Sequence, residues 1–504
     1  MNIKKVLCIG SGYVGALTMT MFAFRYPSLN FYVFDVYKPL IDKWNAVTND
    51  PSSLPIVEKD LFEYFTKVYN KNLFFISEIP DDVLFDVDCI FVCVNTPSIT
   101  NYKYGTDVSI EEIGKILKKG IQLSMENVYK CVKDLTKRII KLDDGKKKMR
   151  SKIFIQKSTV AIMTLEHLYK IIHETYQEEK TNLTNDEIDA KISLINIPEF
   201  LAEGTAIANL LHPDRVVIGN LRNNSFSKEA SNRMKKFYQN IVPSDLIIDF
   251  DSVSSEMTKL VSNAFLAQRI SSINSISELC EKTNANIHSI SDSVGRDKRI
   301  GNTYLKASMG FGGSCFKKDI LSLIFILNDM GLDIQANYWS QVLLMNEYQR
   351  LRICKKVFDS SLNKPIAIMG LAFKGNVGDV RCSNSIFMLS YLLNKKCEVK
   401  LYDPYSTIED VKNELKVYDN NECLLYDYEK IKIYRDMKEC VKDCSVAVFV
   451  NDHDEYKKIA LEEIVNEMDK EKRTIFDLYN NYSMDKLNEQ KVKVFKLGEY
   501  DGTI

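Results

Sequence analysis

The sequence predicts an α/β protein with two doubly wound halves joined by a long central helix. Three observations carry this expectation. First, "KVLCIGSGYVGALTMTMFAF" is a short β-rich run, a turn holding Gly10, Gly12 and Gly15, and an apolar helical run, closed by the β-branched and aromatic "NFYVFDVY". The apolar period changes from strand to helix and back, as in a βαβ unit. Second, the stretch from Ser252 to Cys280 contains no proline or glycine and carries apolar residues at helical spacing. A helix of that length must join domains or pack against another subunit. Third, the strand, glycine turn, helix and strand return near Lys364 as "KPIAIMGLAFKGNVGDVRCSNSIFMLSYLL" and "CEVKLYDP", ending at Asp403. That is an internal repeat with a degraded glycine motif, and it implies a cleft between two related halves.

Length and charge narrow the class. At 504 residues the chain is too long for one core and fits about three domains. The expected boundaries are an N-terminal dinucleotide-binding domain over 1–250, a central helical and dimerisation domain over 251–362, and a second nucleotide-fold domain over 363–504. A net charge of −1 offers no global field for nucleic acid or an acidic membrane. The 12 cysteines are scattered, several in apolar runs such as "DCIFVCV", and no CxxC or HExxH pattern occurs. Free thiols in a reducing compartment are expected, and no metal site. The lysine-led apolar N-terminus is broken by three glycines and reads as strand, turn and helix, not as a signal peptide. No other segment is apolar enough to span a bilayer, so a soluble cytoplasmic protein is expected.

The first glycine turn has a defined chemistry. Gly10 permits the tight turn, Gly12 lets a pyrophosphate approach the backbone, and Gly15 lets the helix pack closely on the strand. The helix N-terminus then faces the phosphates. Asp35, about twenty positions on, accepts from ribose hydroxyls and repels a 2′-phosphate, which selects NAD over NADP. "DCIFVCVNTPS" reads as a buried parallel strand whose C-terminal edge, Val94, Asn95, Thr96, Pro97 and Ser98, lies where open α/β sheets bind ligands. "SKIFIQKSTV" and "KISLINIPEFLAEGTA" repeat the scheme, and their polar ends converge on the nicotinamide.

One cysteine differs from the rest. In "KASMGFGGSCFKKDI", Cys315 follows a glycine run and precedes two lysines and an aspartate. Ser314 reads as the N-cap of the following helix. The thiol then sits in the first turn, where the helix dipole with Lys317 and Lys318 lowers a pKa from ~8.5 into the range of roughly 3.5–7.5. Asp319 lies four residues on, along the same helix face, and Gly310, Gly312 and Gly313 clear space for a ligand. Lys259 and Asn263, spaced i,i+4 on the long helix, offer a cation and an amide donor for an oxyanion.

These motifs together resemble a known family. "IGSGYVG", "VNTP", "KSTV", "PEFLAEGTA", "KLVSNAFLAQRISSINSISELCE", "RIGNTYLKASMGFGGSCFKKD" and "GLAFK" are similar to the UDP-glucose 6-dehydrogenases of the UDP-glucose/GDP-mannose dehydrogenase family, its animal-type members above all. The resemblance runs from Lys4 to about Val494. It implies two Rossmann-like domains and a four-electron oxidation of UDP-glucose to UDP-glucuronate with two NAD⁺. Cys315 would be the nucleophile, passing through a thiohemiacetal and a thioester. Lys259 and Asn263 would stabilise the oxyanion, with Lys259 also moving protons, while Asp319, Thr159 and Glu199 orient water and handle protons. For NAD the resemblance implies Gly10, Ser11, Gly12, Tyr13, Val14, Gly15, Asp35, Val94 to Ser98, Thr159, Glu203, Cys315 to Lys318 and Arg381. For the sugar nucleotide it implies Glu199, Phe200, Leu201, Ala202, Glu203, Lys259, Asn263, Arg299, Lys306, Ala307, Ser308, Met309, Gly310, Phe311, Gly312, Phe373 and Lys374. Arg299 would reach a neighbouring subunit's sugar, so a homo-oligomer, dimer or hexamer, is implied.

The sequence also departs from the family pattern. Leu478, Tyr479 and Asn480 stand where an arginine is usual, Ala161 where proline is common, Ile197 for an asparagine and Leu40 for an arginine. Polar or charged insertions near Tyr104–Ser124, Leu142–Met149 and Tyr176–Ile188 are expected to be surface loops. The competing readings are a dehydrogenase of the same superfamily acting on GDP-mannose or a UDP-N-acetylhexosamine, and a catalytically silent scaffold that retains nucleotide binding.

Overall fold

The computed structural model describes residues 3–99, 106, 108–143, 149–179, 181–418, 431–482 and 492–499. The chain divides into two compact units, Met1–Ile99 with Leu123–Leu260 and Thr100–Gln122 with Val261–Ile504.

The first unit is an eight-stranded sheet. Its strands are β1 (Lys5–Ile9), β2 (Asn30–Phe34), β3 (Leu73–Ile76), β4 (Cys89–Val92), β5 (Lys152–Gln156), β6 (Ile192–Asn196), β7 (Val216–Asn220) and β8 (Ile247–Asp251). They run in the order β3-β2-β1-β4-β5-β6-β7-β8. Every pair is parallel except β6 with β7. Residues of β4 and β5 are buried throughout, which is why they read as continuous apolar runs and not as alternating ones. Two apolar clusters cover the sheet, one around Phe22, Trp44 and Phe237 and the other around Leu84, Val132 and Leu168. The order reverses beside β1 and β4, so the crevice beyond their C-terminal ends is where a ligand fits.

Gly10 and Gly15 play the structural parts read from the sequence. Gly10, at φ +109°, donates its N–H to Phe34 O at 2.7 Å. A Cβ on Gly15 would lie 2.0 Å from Gly10 O and 3.0 Å from Cys8 Sγ, while one on Gly12 would meet nothing within 4 Å. Gly15 therefore sets the helix Tyr13–Arg25 against the strand, and Gly12 keeps an open face.

The second unit carries a six-stranded parallel sheet: β9 (Ile366–Met369), β10 (Val399–Tyr402), β11 (Ile433–Tyr434), β12 (Val446–Phe449), β13 (Thr474–Asp477) and β14 (Lys493–Lys496). Its order is β11-β10-β9-β12-β13-β14. The repeat extends to single hydrogen bonds: Gly370 N–H reaches Tyr402 O at 2.7 Å as Gly10 reaches Phe34 O. The helices differ, however. The first begins at Tyr13, directly after Gly12, whereas the corresponding helix, Asn384–Asn394, begins only after the segment 371–383. The 32-residue helix Ser252–Thr283 covers the expected stretch, and the helices Ser314–Asp329 and Asp333–Ser361 complete the apolar packing around Leu321, Ile324 and Leu343. Among the described residues, no helix is long and apolar enough to cross a membrane.

Two of the expected surface loops are not loops. Within Tyr104–Ser124, the helix Ile110–Leu117 starts at a Ser109/Glu112 capping box. It buries Ile113 and Leu117, and Ile121 follows them into the same cluster. Those three residues recur every fourth position, a helical signal hidden among charged neighbours. Within Tyr176–Ile188, Thr184 and Glu187 cap the helix Asn185–Lys191, which buries Ile188. Most of Leu142–Met149 lies outside the described residues.

The glycine geometry gives a direct stability test. Gly15→Ala forces a methyl into a backbone carbonyl and is expected to cost roughly 1–3 kcal/mol or more. Gly12→Ala should leave the melting temperature within about 2 °C, since it costs under ~0.5 kcal/mol at an open position. Equal melting temperatures for the two variants would contradict this packing.

Candidate active site

In the first unit the glycine turn is locked from two sides. Ser11 N–H donates to Asp35 Oδ2 at 2.8 Å and Ser11 Oγ to the same oxygen at 3.0 Å. Trp44, fully buried, donates its indole N–H to Ser11 O at 3.1 Å. Among the described residues Asp35 Oδ1 takes only Tyr37 N–H, at 2.9 Å, which leaves that oxygen able to accept a ribose hydroxyl. The helix Tyr13–Arg25 has no side-chain cap, so its first N–H groups stay available to an anion. Open backbone at Gly12, bare amides and a half-buried carboxylate fit the pyrophosphate and ribose of a dinucleotide.

The strand-end loops are tied to one another. Thr96 Oγ1 donates to Thr159 O at 2.7 Å, and Ser158 Oγ to Val94 O at 2.6 Å. Ser124 N–H donates to Pro97 O at 2.7 Å and Asn127 Nδ2 to Asn95 O at 3.1 Å. Val94–Ser98 and Thr159 therefore form one edge. Beside it, Glu199 Oε1 takes the N–H of Phe200 at 2.8 Å. Arg215 lies 4.2 Å and Lys259 5.5 Å from the centroid of the Phe200 ring.

In the second unit Cys315 is the one exposed residue among the eleven described cysteines. The helix begins at Ser314, preceded by Gly313 at φ +81° with no side-chain cap. Ser314 is thus the first helical residue and not the expected N-cap, and Cys315 remains in the first turn. The positive charge expected around the thiol is shared with carboxylates: Lys317 pairs with buried Glu347 at 3.2 Å and Lys318 with Asp319 at 2.9 Å. Asp319 is 1% exposed and also accepts from Asn263 Nδ2 at 2.6 Å. That bond ties the long helix to the cysteine helix and leaves Asn263 one amide hydrogen for an oxyanion. Lys259 sits one turn before Asn263 on the same helix.

The glycine run is filled by protein, which revises its expected purpose of clearing space for a ligand. A Cβ on Gly313 would lie 3.0 Å from the Phe373 ring, one on Gly312 2.9 Å from Cys382 O, and one on Gly310 2.6 Å from Asn346 Oδ1. These glycines let Phe373 and Asn346 press on the backbone just before Cys315. Of the remaining sugar-nucleotide residues, Ala307, Ser308, Met309 and Phe311 are buried and Lys306 is exposed. Lys374 lies over the Phe373 ring at 5.6 Å. Arg299 and Arg381 are exposed and bond Asp297 and Asp379 two residues away, each at 2.6 Å. At the departure from the family pattern, Leu478 is buried, the Tyr479 hydroxyl bonds Ser308, and burial raises the Tyr479 pKa.

Three residues that support the site were not singled out in the sequence. Lys157 Nζ lies 2.7 Å from Glu199 Oε2, with the two side chains 3% and 14% exposed. Burial opposes the ammonium charge, but attraction to Glu199 outweighs it and raises the Lys157 pKa. Glu58 accepts the N–H groups of Gly204 and Ala206, at 2.7 and 2.8 Å, and the Tyr13 hydroxyl, and so fixes the turn carrying Glu203. Glu256, on the long helix, accepts from Met163 and Leu165 N–H at 2.7 and 2.9 Å, just past Thr159. Lys157 lies within the KSTV motif but stands out there by no spacing of its own, and Glu58 and Glu256 belong to no short motif; the purpose of each appears only once the loops it holds are in place.

A parallel sheet with an open glycine turn, a carboxylate after β2 and an exposed thiol at a helix start define an NAD-dependent dehydrogenase. The comparisons with known proteins give the particular family. The NAD binding, central and UDP binding domains of the UDP-glucose/GDP-mannose dehydrogenase family match residues 4–242, 253–348 and 367–484. The chain is 36% identical to UDP-glucose 6-dehydrogenase 4 of Oryza sativa subsp. japonica over 508 residues, 98% of this chain and 97% of that one. It is 40% identical to UDP-glucose 6-dehydrogenase of Mus musculus over 407 residues, 80% of this chain and 74% of that one. A UDP-glucose dehydrogenase structure from Pyrobaculum islandicum shares the fold at a TM-score of 0.76 and 22% identity, covering 99% and 98% of the two chains. The chain belongs to the UDP-glucose/GDP-mannose dehydrogenase family.

Glu256 makes the first unit sensitive to pH. Burial pushes its carboxyl up to about 8, against the N–H bonds from Leu165 and Met163 and with Glu166 adding to the shift. The folded state thus binds this proton more tightly than the unfolded chain, whose glutamates titrate near ~4.3. The resulting stability is complete below that value and is lost as pH rises through about 8. Glu256→Gln is expected to flatten the fall in melting temperature between pH 5 and 8, and a slope equal to the parent's would contradict the assignment.

Proposed function

We propose that the chain oxidises UDP-glucose to UDP-glucuronate in two NAD-dependent steps at Cys315. The observation that carries this reading is the exposed thiol in the first turn of its helix, beside the bonded pair Asn263 and Asp319. Full-length similarity to UDP-glucose 6-dehydrogenases supplies the substrate. NAD, when bound, takes a hydride from C6 in each oxidation. Residues 1–250 hold the cofactor, with Asp35 and the amides after Gly12 on ribose and pyrophosphate. Residues 363–504 hold the UDP moiety, and 251–362 supply the cysteine loop and the contact with a second copy. Arg381, in the segment 371–383, serves the cofactor.

The first oxidation turns the C6 alcohol into an aldehyde and releases one proton. Cys315 Sγ then forms a bond to C6 while the carbonyl oxygen gains charge, giving a thiohemiacetal. Lys259 and an amide hydrogen of Asn263 stabilise that oxygen; Lys259 gives it the proton that completes the thiohemiacetal and, as the neutral amine, takes that proton back in the second oxidation, which leaves a thioester. Water then breaks the C–S bond and returns the thiol, so one sugar consumes two NAD⁺ and one water and yields a carboxylate. Asp319 and Thr159 orient the water. Glu199, paired with Lys157, acts as an acceptor.

Phe265, Ile276 and Leu279 on the long helix are 56%, 38% and 57% exposed, which supports a homo-oligomer built on that helix. Arg299 reaches the sugar of the neighbouring subunit. The enzyme works in the cytoplasm.

Purified enzyme is expected to form two NADH per UDP-glucose. Cys315→Ser is expected to lose turnover by at least ~1000-fold, in keeping with loss of a covalent nucleophile, while still binding UDP-glucose in calorimetry. One NADH per sugar, parent-like rates in the variant, or activity confined to GDP-mannose would each contradict the reading.

A further inference from the structure

We propose that Asn346, on the helix Asp333–Ser361, is a positioning residue that sets the backbone in front of Cys315, helped by Asn274, Gln349 and Asn384. The inference rests on Cys315 being the nucleophile and extends that reading to residues that touch neither substrate nor cofactor.

The segment from Lys306 to Gly313 is irregular, yet most of it is buried. Buried backbone without a ladder or helix must find other partners for its N–H and C=O groups. Here amide side chains provide them. Asn274 Oδ1 accepts Ser308 N–H at 2.9 Å, and Gln349 Nε2 donates to Ser308 O at 3.1 Å. Asn384 Nδ2 donates to Gly310 O at 2.7 Å. Asn346 does both jobs at one residue: its Oδ1 accepts Phe311 N–H at 2.8 Å and its Nδ2 donates to Phe311 O at 3.1 Å. All four side chains are 2% exposed or less.

Asn346 stands out because its two bonds fix the orientation of a whole residue and not a single group. The fit is mutual: Gly310, at φ +126°, has room for no Cβ because Asn346 Oδ1 would lie 2.6 Å from it. The constraint continues to the thiol. The Phe311 ring meets Phe316 edge-on, with centroids 5.8 Å apart, and Phe316 follows Cys315 directly. The next residue of the same helix, Glu347, takes Lys317 at 3.2 Å. One helical turn therefore holds the loop on one side of Cys315 and the lysine on the other. A displacement of about 1 Å at a reacting group can cost roughly 100-fold in rate, so loosening Phe311 should be felt in chemistry.

Asn346→Leu keeps the volume and removes both bonds; Asn346→Asp keeps the acceptor for Phe311 N–H. The leucine variant is expected to lower kcat/KM for UDP-glucose by about 10- to 100-fold while the KM for NAD stays within about twofold. Aspartate should restore at least a third of the loss on a logarithmic scale. The rate at which iodoacetamide alkylates Cys315, measured without substrate, should change by about threefold or more in the leucine variant. Should that variant fail to fold, Asn384→Leu, which removes only the donor to Gly310 O, is expected to move the same quantities in the same direction. A lower melting temperature with parent-like kcat/KM and parent-like alkylation would reduce Asn346 to a structural residue and overturn the proposal. Absence of NADH formation by the parent with UDP-glucose would instead overturn the substrate reading, and the alkylation rates would still decide the role of Asn346.

Discussion

Backbone that leaves a strand or helix inside a folded unit must still pair its N–H and C=O groups, and the functional parts of this chain obey that constraint in one way. A buried or half-buried polar side chain takes the place of the missing ladder. Asp35 and Trp44 hold the turn at Ser11. Glu58 holds the turn at Gly204, Glu256 the segment after Thr159, and four amides the approach to Cys315. Each of these loops has backbone polar groups already satisfied by such a side chain. The arrangement also explains why so much charge and amide is buried in a chain of average composition: an unpaired buried group costs about 1–3 kcal/mol.

The same constraint separates the two halves of the repeat. Asp35 is half-buried and keeps acceptor capacity on Oδ1, with a bare helix start directly after Gly12. Asp403, its counterpart after β10, is fully buried and already used. It accepts Leu371, Ala372, Tyr405 and Ser406 N–H groups at 2.6 to 3.2 Å and faces His453 Nε2 at 3.3 Å. Burial alone would raise that carboxyl, but His453 and the N–H groups hold it below the usual carboxylate range. Among the described residues the second half thus spends its acidic residue on its own backbone. It uses the segment 371–383 to press Phe373 on Gly313. One turn keeps open groups that fit a dinucleotide; the other holds a loop.

Most of the fold was legible because its signals are local. Strand runs, glycine spacing and the helix from Ser252 are periodic features of one segment, and the order of β1, β2 and β4 follows from them. Cys315 was legible for a related reason: glycine and charge beside a thiol are unusual without any knowledge of neighbours. The supporting residues were not legible, because what identifies Lys157, Glu256 or Asn346 is a partner 42, 93 or 35 residues away. The glycines before Cys315 were misjudged for the same reason, since the groups that need their space, Asn346 and Phe373, come from distant segments. Helix Ile110–Leu117 was missed because the insertion was read by its charged and polar residues, while Ile113, Leu117 and Ile121, four apart, carry its packing.

The central claim is that the Cys315 sulfur carries the sugar between its two oxidations. Rapid acid quenching of enzyme mixed with UDP-glucose and NAD⁺, followed by peptide mass analysis, tests it most directly. A UDP-glucuronyl mass on the peptide containing Cys315, absent when either reactant is omitted, is the result the account predicts. Turnover that proceeds with that peptide unmodified at every quench time, or with the mass on another residue, would contradict it.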